Sequence, residues 1–236
     1  MARERLHKIL AGWGVDSRRN CEQLILGGAV KVNGKIIDTL PAFADPKIDI
    51  ITVSGRKIRP ENKVYYLLNK PKGFLCTNND PAGRKKAIDL VPPGGRIFCV
   101  GRLDADTTGA ILLTNDTALA DIVTHPRHEL PKTYIVTIKG KVSTEAVEQM
   151  KKGVWLSDGK AVPGKVKIIK AQAAESILEI KISQSLNREI RRIMAKFGYK
   201  VTALKRLAIG KISTYKLGIG KFRPLTKGEI DYLKKE

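Results

Sequence analysis

VGRLDADTTGAILLTND, residues 100–116, sets an arginine, acids, threonines and glycines beside a single apolar run, and its reading decides how the larger part of the chain must be built. Val100 closes one buried strand and Ile111, Leu112 and Leu113 form another, because short apolar runs bounded by turn residues read as strands. GRLDADTTG between them is therefore a loop, held at both ends by core strands. Such a loop is rigid yet exposed, which suits a catalytic group. Asp104 has the chemistry of a nucleophile, a base or an ion-pair partner, and Arg102 that of its neutralising cation. A polar hairpin turn with an incidental salt bridge fits the same composition, since turns favour Asp, Thr and Gly.

A chain of 236 residues is long enough for one large domain or a large one with a small companion. Its 44 Lys and Arg against 23 Asp and Glu leave a net charge of +21, which points to a polyanionic partner, nucleic acid first. The excess is spread along the chain: residues 1–60 hold 11 basic and 6 acidic side chains, a net of +5, and the remainder carries +16. The larger domain must therefore bind the polyanion itself. That separates an enzyme acting on RNA from an inert module with an RNA tether.

No apolar run of about eighteen residues exists, so no membrane span is expected, and MARERLHKIL lacks the apolar segment of a signal peptide. The expected location is cytoplasmic. Cys21, Cys76 and Cys99 match neither a disulfide framework nor a zinc motif and read as reduced, mostly buried thiols. His125 and His128 lack the further ligands that zinc takes, so no metal site is expected. Neither a phosphate loop nor a dinucleotide fingerprint is present, consistent with a reaction that requires no cofactor.

At the front, Leu6, Ile9, Leu10 and Trp13 recur at helical spacing as one buried stripe, which Gly12 or Gly14 ends. Ser17 is the N-cap of a second helix, with Cys21, Leu24 and Ile25 inward and Gly27 and Gly28 beyond its end. Arg18 and Arg19 in its first turn oppose the helix dipole, so they are expected to serve a phosphate. AVKVNGKII is a hairpin about Asn33 and Gly34, and Ile48 to Val53 give a third strand. Helix, turn, helix and a small sheet over roughly Arg3 to Arg59 resemble the RNA-binding domain shared with a small-subunit ribosomal protein, often called the α-L motif. The resemblance rests on RLHKILAGWGVDSRRNCEQLILGGAVKVNGKII. The expected domains are 1–58, a linker at 59–63 around Pro60, and 64–236.

The second domain opens with a buried strand from Val64 to Leu68, a turn at Pro71, Lys72 and Gly73, and a continuation at Phe74 to Cys76, with Lys70 and Lys72 at the strand's end. Asn78 to Lys86 form a polar, phosphate-facing loop. Asp116 caps a short helix with Leu119, Ile122 and Val123, stopped by His125 and Pro126. A strand begins close to Tyr134, placed to stack on a base or to sit in the core. Ser143 starts a helix with Ala146, Val147 and Met150 inward, and strands follow around a turn at Asp158 and Gly159. In LNREIRRIMAKFGY, Ile190, Ile193, Met194 and Phe197 form an apolar stripe beside Arg188, Arg191, Arg192 and Lys196, and Lys205 and Arg206 enter the next strand. Thr226 and Glu229 have capping-box spacing before a terminal helix.

NKPKGFLCT, GRLDADTTGAILLTND, LPKTYIVTIKG and SLNREIRRIMAKFGYKVTALKRLAIG, in that order, resemble a ribosomal RNA pseudouridine synthase of the RsuA/RluB type over nearly the whole chain. The resemblance implies an α+β fold, the small RNA-binding domain followed by a larger, mostly antiparallel sheet with helices. It implies isomerisation of a uridine in ribosomal RNA, most readily the 23S RNA of the large subunit, with 16S RNA of the small subunit the alternative, on free RNA or a ribosomal subunit precursor. Asp104 takes the place of the catalytic aspartate, Tyr134 that of the tyrosine stacked on uracil, and Arg191 that of the arginine paired with the carboxylate. Asp106 is then a structural acid in a turn or salt bridge. RNA contacts are implied for Arg18, Arg19, Lys70, Lys72, Arg102, Thr107, Arg188, Arg192, Lys205 and Arg206. Ser185 and Leu186 stand where the family often has a Gly-Arg pair, and Ala110 where leucine is usual. A non-catalytic ribosome-assembly factor is the rival reading, and the chain is expected to be a monomer.

Overall fold

The computed structural model describes residues 3–92, 95–184 and 186–235, which form two compact units. The first comprises the chain up to Val64, together with residues 95–97 and Asn115–Thr117; the second is the rest.

In the first unit a two-residue strand β1 (Glu4–Arg5) runs into α1 (Leu6–Gly12), α2 (Arg18–Leu26), β2 (Val30–Val32), β3 (Lys35–Ile37), β4 (Phe43–Ala44), β5 (Ile51–Val53) and β6 (Arg56–Lys57). Strand β1 pairs with β4, and the other four lie in the order β3-β2-β5-β6. Leu6, Ile9, Leu10, Cys21, Ile25 and Val30 are buried between the helices and this sheet. Ser17 caps α2 as its side chain implies, accepting the amide of Asn20 at 3.1 Å. Asn33 (φ 51°) and Gly34 (φ 82°) take the two left-handed positions of the β2–β3 turn. The third strand starts at Ile51 rather than at Ile48. Asp49 accepts Asp45 N–H at 2.7 Å and Asn33 Nδ2 at 2.8 Å, so the preceding residues close a polar loop and leave Ile48 and Ile50 exposed.

The second unit is a nine-stranded sheet with helices. It consists of β7 (Tyr65–Lys70), β8 (Phe98–Val100), β9 (Thr108–Thr114), α3 (Thr117–Thr124), β10 (Lys132–Lys139), α4 (Thr144–Lys151), a small hairpin β11 (Val154–Leu156) and β12 (Gly159–Ala161), β13 (Lys165–Ala171), β14 (Glu175–Ile182), α5 (Glu189–Lys196), β15 (Val201–Ile209), β16 (Ile212–Ser213), β17 (Phe222–Pro224) and α6 (Lys227–Lys235). The main path runs β13-β14-β10-β15-β9-β7-β17, with β8 on β9 and β16 on β15. Every pair is antiparallel except β15 with β9, which run parallel in the middle of the sheet. The fold is α+β.

Local signals hold at most boundaries. Ser143 caps α4 by accepting Ala146 N–H, and Thr226 and Glu229 exchange the two bonds of a capping box at 2.9 and 3.2 Å. Three expectations fail for tertiary reasons. Phe74 to Cys76 do not continue the strand. After the turn at Gly73 the chain leaves the sheet, and Leu75 bonds instead to Lys85 and Ala87. The turn after β11 is Ser157–Asp158, because Gly159 already pairs with Leu156 and Arg192 holds both turn side chains. Lys205 and Arg206 lie inside β15 rather than at its entrance.

Candidate active site

The parallel pairing explains why distant segments meet. Arg206 on β15 pairs with Tyr134 of β10 on one side and Gly109 of β9 on the other. Gly109 is the second residue of β9, just past the 101–107 loop. At φ +106° an added Cβ would lie 2.8 Å from Arg206 N, so only glycine permits this approach of the two backbones. The loop itself is drawn tight where Thr107 N–H donates to Asp104 O at 3.0 Å, and Leu103 and Thr107 are buried beneath it.

A cleft of about 310 Å³ opens here, lined among others by Arg102, Asp104, Thr107, Tyr134, Arg188 and Arg206. Its volume is at the small end of ligand sites. Asp104 is partly exposed, and its Oδ2 accepts Arg188 Nη1 at 2.8 Å. Arg191 is nearly buried and makes its close ion pair with Asp106, 2.8 Å from Nη2, while its Nε lies 3.9 Å from Asp104 Oδ2. That Nε is buried without a hydrogen-bond partner, so it is poised toward Asp104. Arg188 precedes α5 in a left-handed conformation (φ 47°), and Arg191 follows one turn later on the same face. Asp106, read as a structural acid, thus tethers the arginine expected on Asp104.

The remaining expected contacts divide. Arg102 and Lys72 are exposed, as are Arg18 and Arg19 at the start of α2, and Lys205 is partly so. Arg206 is buried but borders the cleft; its Nε donates to Ala110 O at 2.6 Å. Arg192 turns away from the cleft and forks onto Asp158, with Nη1 2.9 Å and Nη2 2.5 Å from its two oxygens. Lys70 does not face RNA. It is fully buried, donating to Phe74 O at 2.8 Å and Pro71 O at 3.1 Å and approaching Ala105 O at 3.5 Å, so it braces the loop from below. Burial pushes its pKa down. Ala110 is wholly buried, and Ser185 lies outside the described residues.

Two ionisable groups in the cleft wall escaped the sequence reading. Lys132 is buried two residues before Tyr134, on the same side of β10, and burial with the nearby Arg206 cation brings its pKa down to about 8. Glu189, in the first turn of α5, is buried too, which pushes its carboxyl up, and its Oε1 has no partner. The only sequence signal was position: Lys132 within KTY, and Glu189 within NREIRR. No cluster of three or more His, Cys, Asp or Glu that would hold a metal occurs among the described residues. A loop-borne carboxylate between two guanidiniums, beside an aromatic ring in a cleft, is equipped for nucleophilic or base chemistry on a planar group.

A model of the RNA pseudouridylate synthase family matches residues 64–196, and a model of the S4 domain matches residues 4–40. The chain is 41% identical over 235 residues to an uncharacterized RNA pseudouridine synthase of Aquifex aeolicus (strain VF5), covering 99% of this chain and 94% of that protein. It is 38% identical to the ribosomal large subunit pseudouridine synthase B of Bacillus subtilis (strain 168), over 98% of this chain and 96% of that protein. A crystal structure of pseudouridylate synthase superposes with a TM-score of 0.71 at 31% identity, covering 97% and 99% of the two chains.

Proposed function

As a member of the RNA pseudouridylate synthase family with an S4 domain ahead of the catalytic domain, the chain isomerises uridine to pseudouridine in RNA, and we propose that its substrate is large-subunit ribosomal RNA and that Asp104 is its nucleophile. The observation that carries the assignment of Asp104 is its place: a carboxylate on a braced loop, in the cleft that Tyr134 borders, between Arg188 and Arg191. The target follows the name of the Bacillus subtilis relative, and the exposed Arg18 and Arg19 supply cations for a phosphate backbone.

The reaction breaks the bond from uracil nitrogen to ribose and rejoins the same ring through carbon. A stacked uridine is out of reach, so it is flipped into the cleft at a cost of a few kcal/mol. Stacking on Tyr134 offsets this by about 1–3 kcal/mol, and phosphate contacts supply the rest. Tyr134 is also placed to take the proton lost from the ring carbon. The two arginines lie against the Asp104 carboxylate and balance its charge where it must approach the sugar or base. Arg188 is half exposed, so an incoming phosphate competes with Asp104 for it and frees a carboxylate oxygen for the sugar or base. Arg191, tied to Asp106, remains as the fixed counter-charge.

Asp104→Asn is expected to abolish pseudouridine formation on ribosomal RNA transcripts while leaving RNA binding within about twofold, since phosphate contacts carry affinity. A variant that still isomerises uridine overturns the assignment. Maps of pseudouridine in ribosomal RNA with and without the gene identify the subunit. Loss of a small-subunit position alone overturns the proposed target.

A further inference from the structure

The isomerisation uses no thiol, yet two of the three cysteines meet beside the catalytic loop. Cys76 follows the Pro71–Gly73 turn, and Cys99 is the middle residue of β8, paired with Leu113 of β9. Their side chains lie close enough to perturb one another, and both are free and only partly buried, whereas Cys21 is sealed in the core of the first unit. Cys76 Sγ also accepts the N–H of Leu103, the residue before Asp104, at 3.4 Å. The same segment is tied to the loop by Gly73 N–H, which donates to Ala105 O at 2.6 Å, and by Lys70, whose Nζ lies 3.5 Å from that oxygen. Lys70 and Arg206 both place positive charge near the sulfurs.

This setting splits the pair. The interaction with Cys99, the Leu103 N–H and the two cations hold the Cys76 thiol down at about 6, and the same interaction, with burial and the charge on Cys76, pushes Cys99 up. A ready thiolate beside a protonated thiol is the pairing in which one sulfur reacts with an oxidant and the other resolves the product.

We propose that Cys76 and Cys99 are an oxidation site for hydrogen peroxide, and that the disulfide they form disables the Asp104 loop. Cys76 thiolate attacks a peroxide oxygen; the O–O bond breaks, hydroxide leaves and takes a proton, and Cys76 becomes a sulfenic acid. Cys99, losing its proton, then attacks that sulfur, the S–O bond breaks, and water leaves. The two sulfurs are oxidised and one peroxide is reduced to two waters. The resulting S–S bond of about 2 Å is far shorter than any non-bonded approach of two sulfurs, so the segment of Cys76 and strand β8 must draw together. Leu103 N–H loses its anionic acceptor at the same time. Asp104 is the next residue, and misplacing a reacting group by about 1 Å costs on the order of a hundredfold in rate.

Hydrogen peroxide is added to the purified protein, and thiol count, peptide mass map and pseudouridine formation on ribosomal RNA are followed together. The expected result is a Cys76–Cys99 peptide, a fall in rate of about tenfold or more, and recovery with dithiothreitol. Cys99→Ser is expected to keep the rate of the reduced enzyme and to lack the crosslinked peptide and the reversible loss. The mass map on the unaltered chain stands even where that variant folds poorly, and it reads the site without reference to catalysis. Absence of the crosslink overturns the site; a crosslink with unchanged activity, or a Cys99→Ser enzyme that loses activity reversibly as the parent does, overturns its link to the loop.

Discussion

The cations of the two units are used in opposite ways. Arg18 and Arg19 sit exposed in the first turn of α2, where a positive charge gains nothing from the helix dipole and is fully open to solvent and salt. In the second unit Lys70, Lys132 and Arg206 are buried and Arg191 nearly so, each committed to a carbonyl, a carboxylate or the cleft wall. An exposed guanidinium supplies affinity that any polyanion shares. A buried one cannot be moved cheaply, so it sets the position of the groups around it. The difference teaches that net charge marks the partner, whereas the few cations withdrawn from that surface fix the loop and the cleft.

Substitutions that break the contrast are ordered by how deeply each cation is committed. Lys70→Met keeps the length of the side chain and removes its ammonium, leaving the carbonyls of Phe74 and Pro71 without their donor under the loop. A loss of about 2–3 kcal/mol is expected, read as a lowered midpoint in urea unfolding. Should the midpoint hold, Lys70 is not the brace its burial implies. Asp106→Asn keeps the shape of the loop and weakens the ion pair that anchors Arg191. At saturating RNA its kcat is expected to fall about tenfold to a hundredfold with KM nearly unchanged, because the lost interaction orients a group and does not bind substrate. A change confined to KM would move Asp106 from positioning to RNA contact. The smallest effect is expected from Arg18→Ala with Arg19→Ala. RNA affinity drops several-fold, kcat is retained, and the slope of log affinity against log salt shrinks by about 0.7 for each lost contact to single-stranded RNA. An unchanged salt slope excludes these arginines from the RNA interface.

Legibility followed range. Ser17, the Asn33–Gly34 turn, Ser143 and the Thr226–Glu229 box act within four residues, so their side chains announce the elements they cap or join. Ile48 and Ile50 misled because apolarity alone suggested a strand, while Asp45, Asp49 and Asn33 held a loop across a longer span. Phe74 to Cys76 misled in the same way, the backbone partners of Leu75, which are Lys85 and Ala87, lying at the far end of the Asn78–Lys86 loop. In the site, the motifs single out Asp104 and Tyr134 by resemblance, but no motif announces the partners of the arginines. Arg188, Arg191 and Arg192 lie close together at the start of α5 and reach three different carboxylates, Asp104, Asp106 and Asp158.

Charge balance, capping residues, hairpin turns and the four ordered motifs were settled by the chain as written, because each depends on composition or on neighbours close in sequence. The burial of Lys70, the lowered pKa of Lys132, the orphan oxygen of Glu189 and the meeting of Cys76 with Cys99 were decided by the tertiary structure alone. Each arises from desolvation or from contact between distant segments, and the parallel pairing of β9 with β15 at Gly109 helps bring those segments to one place.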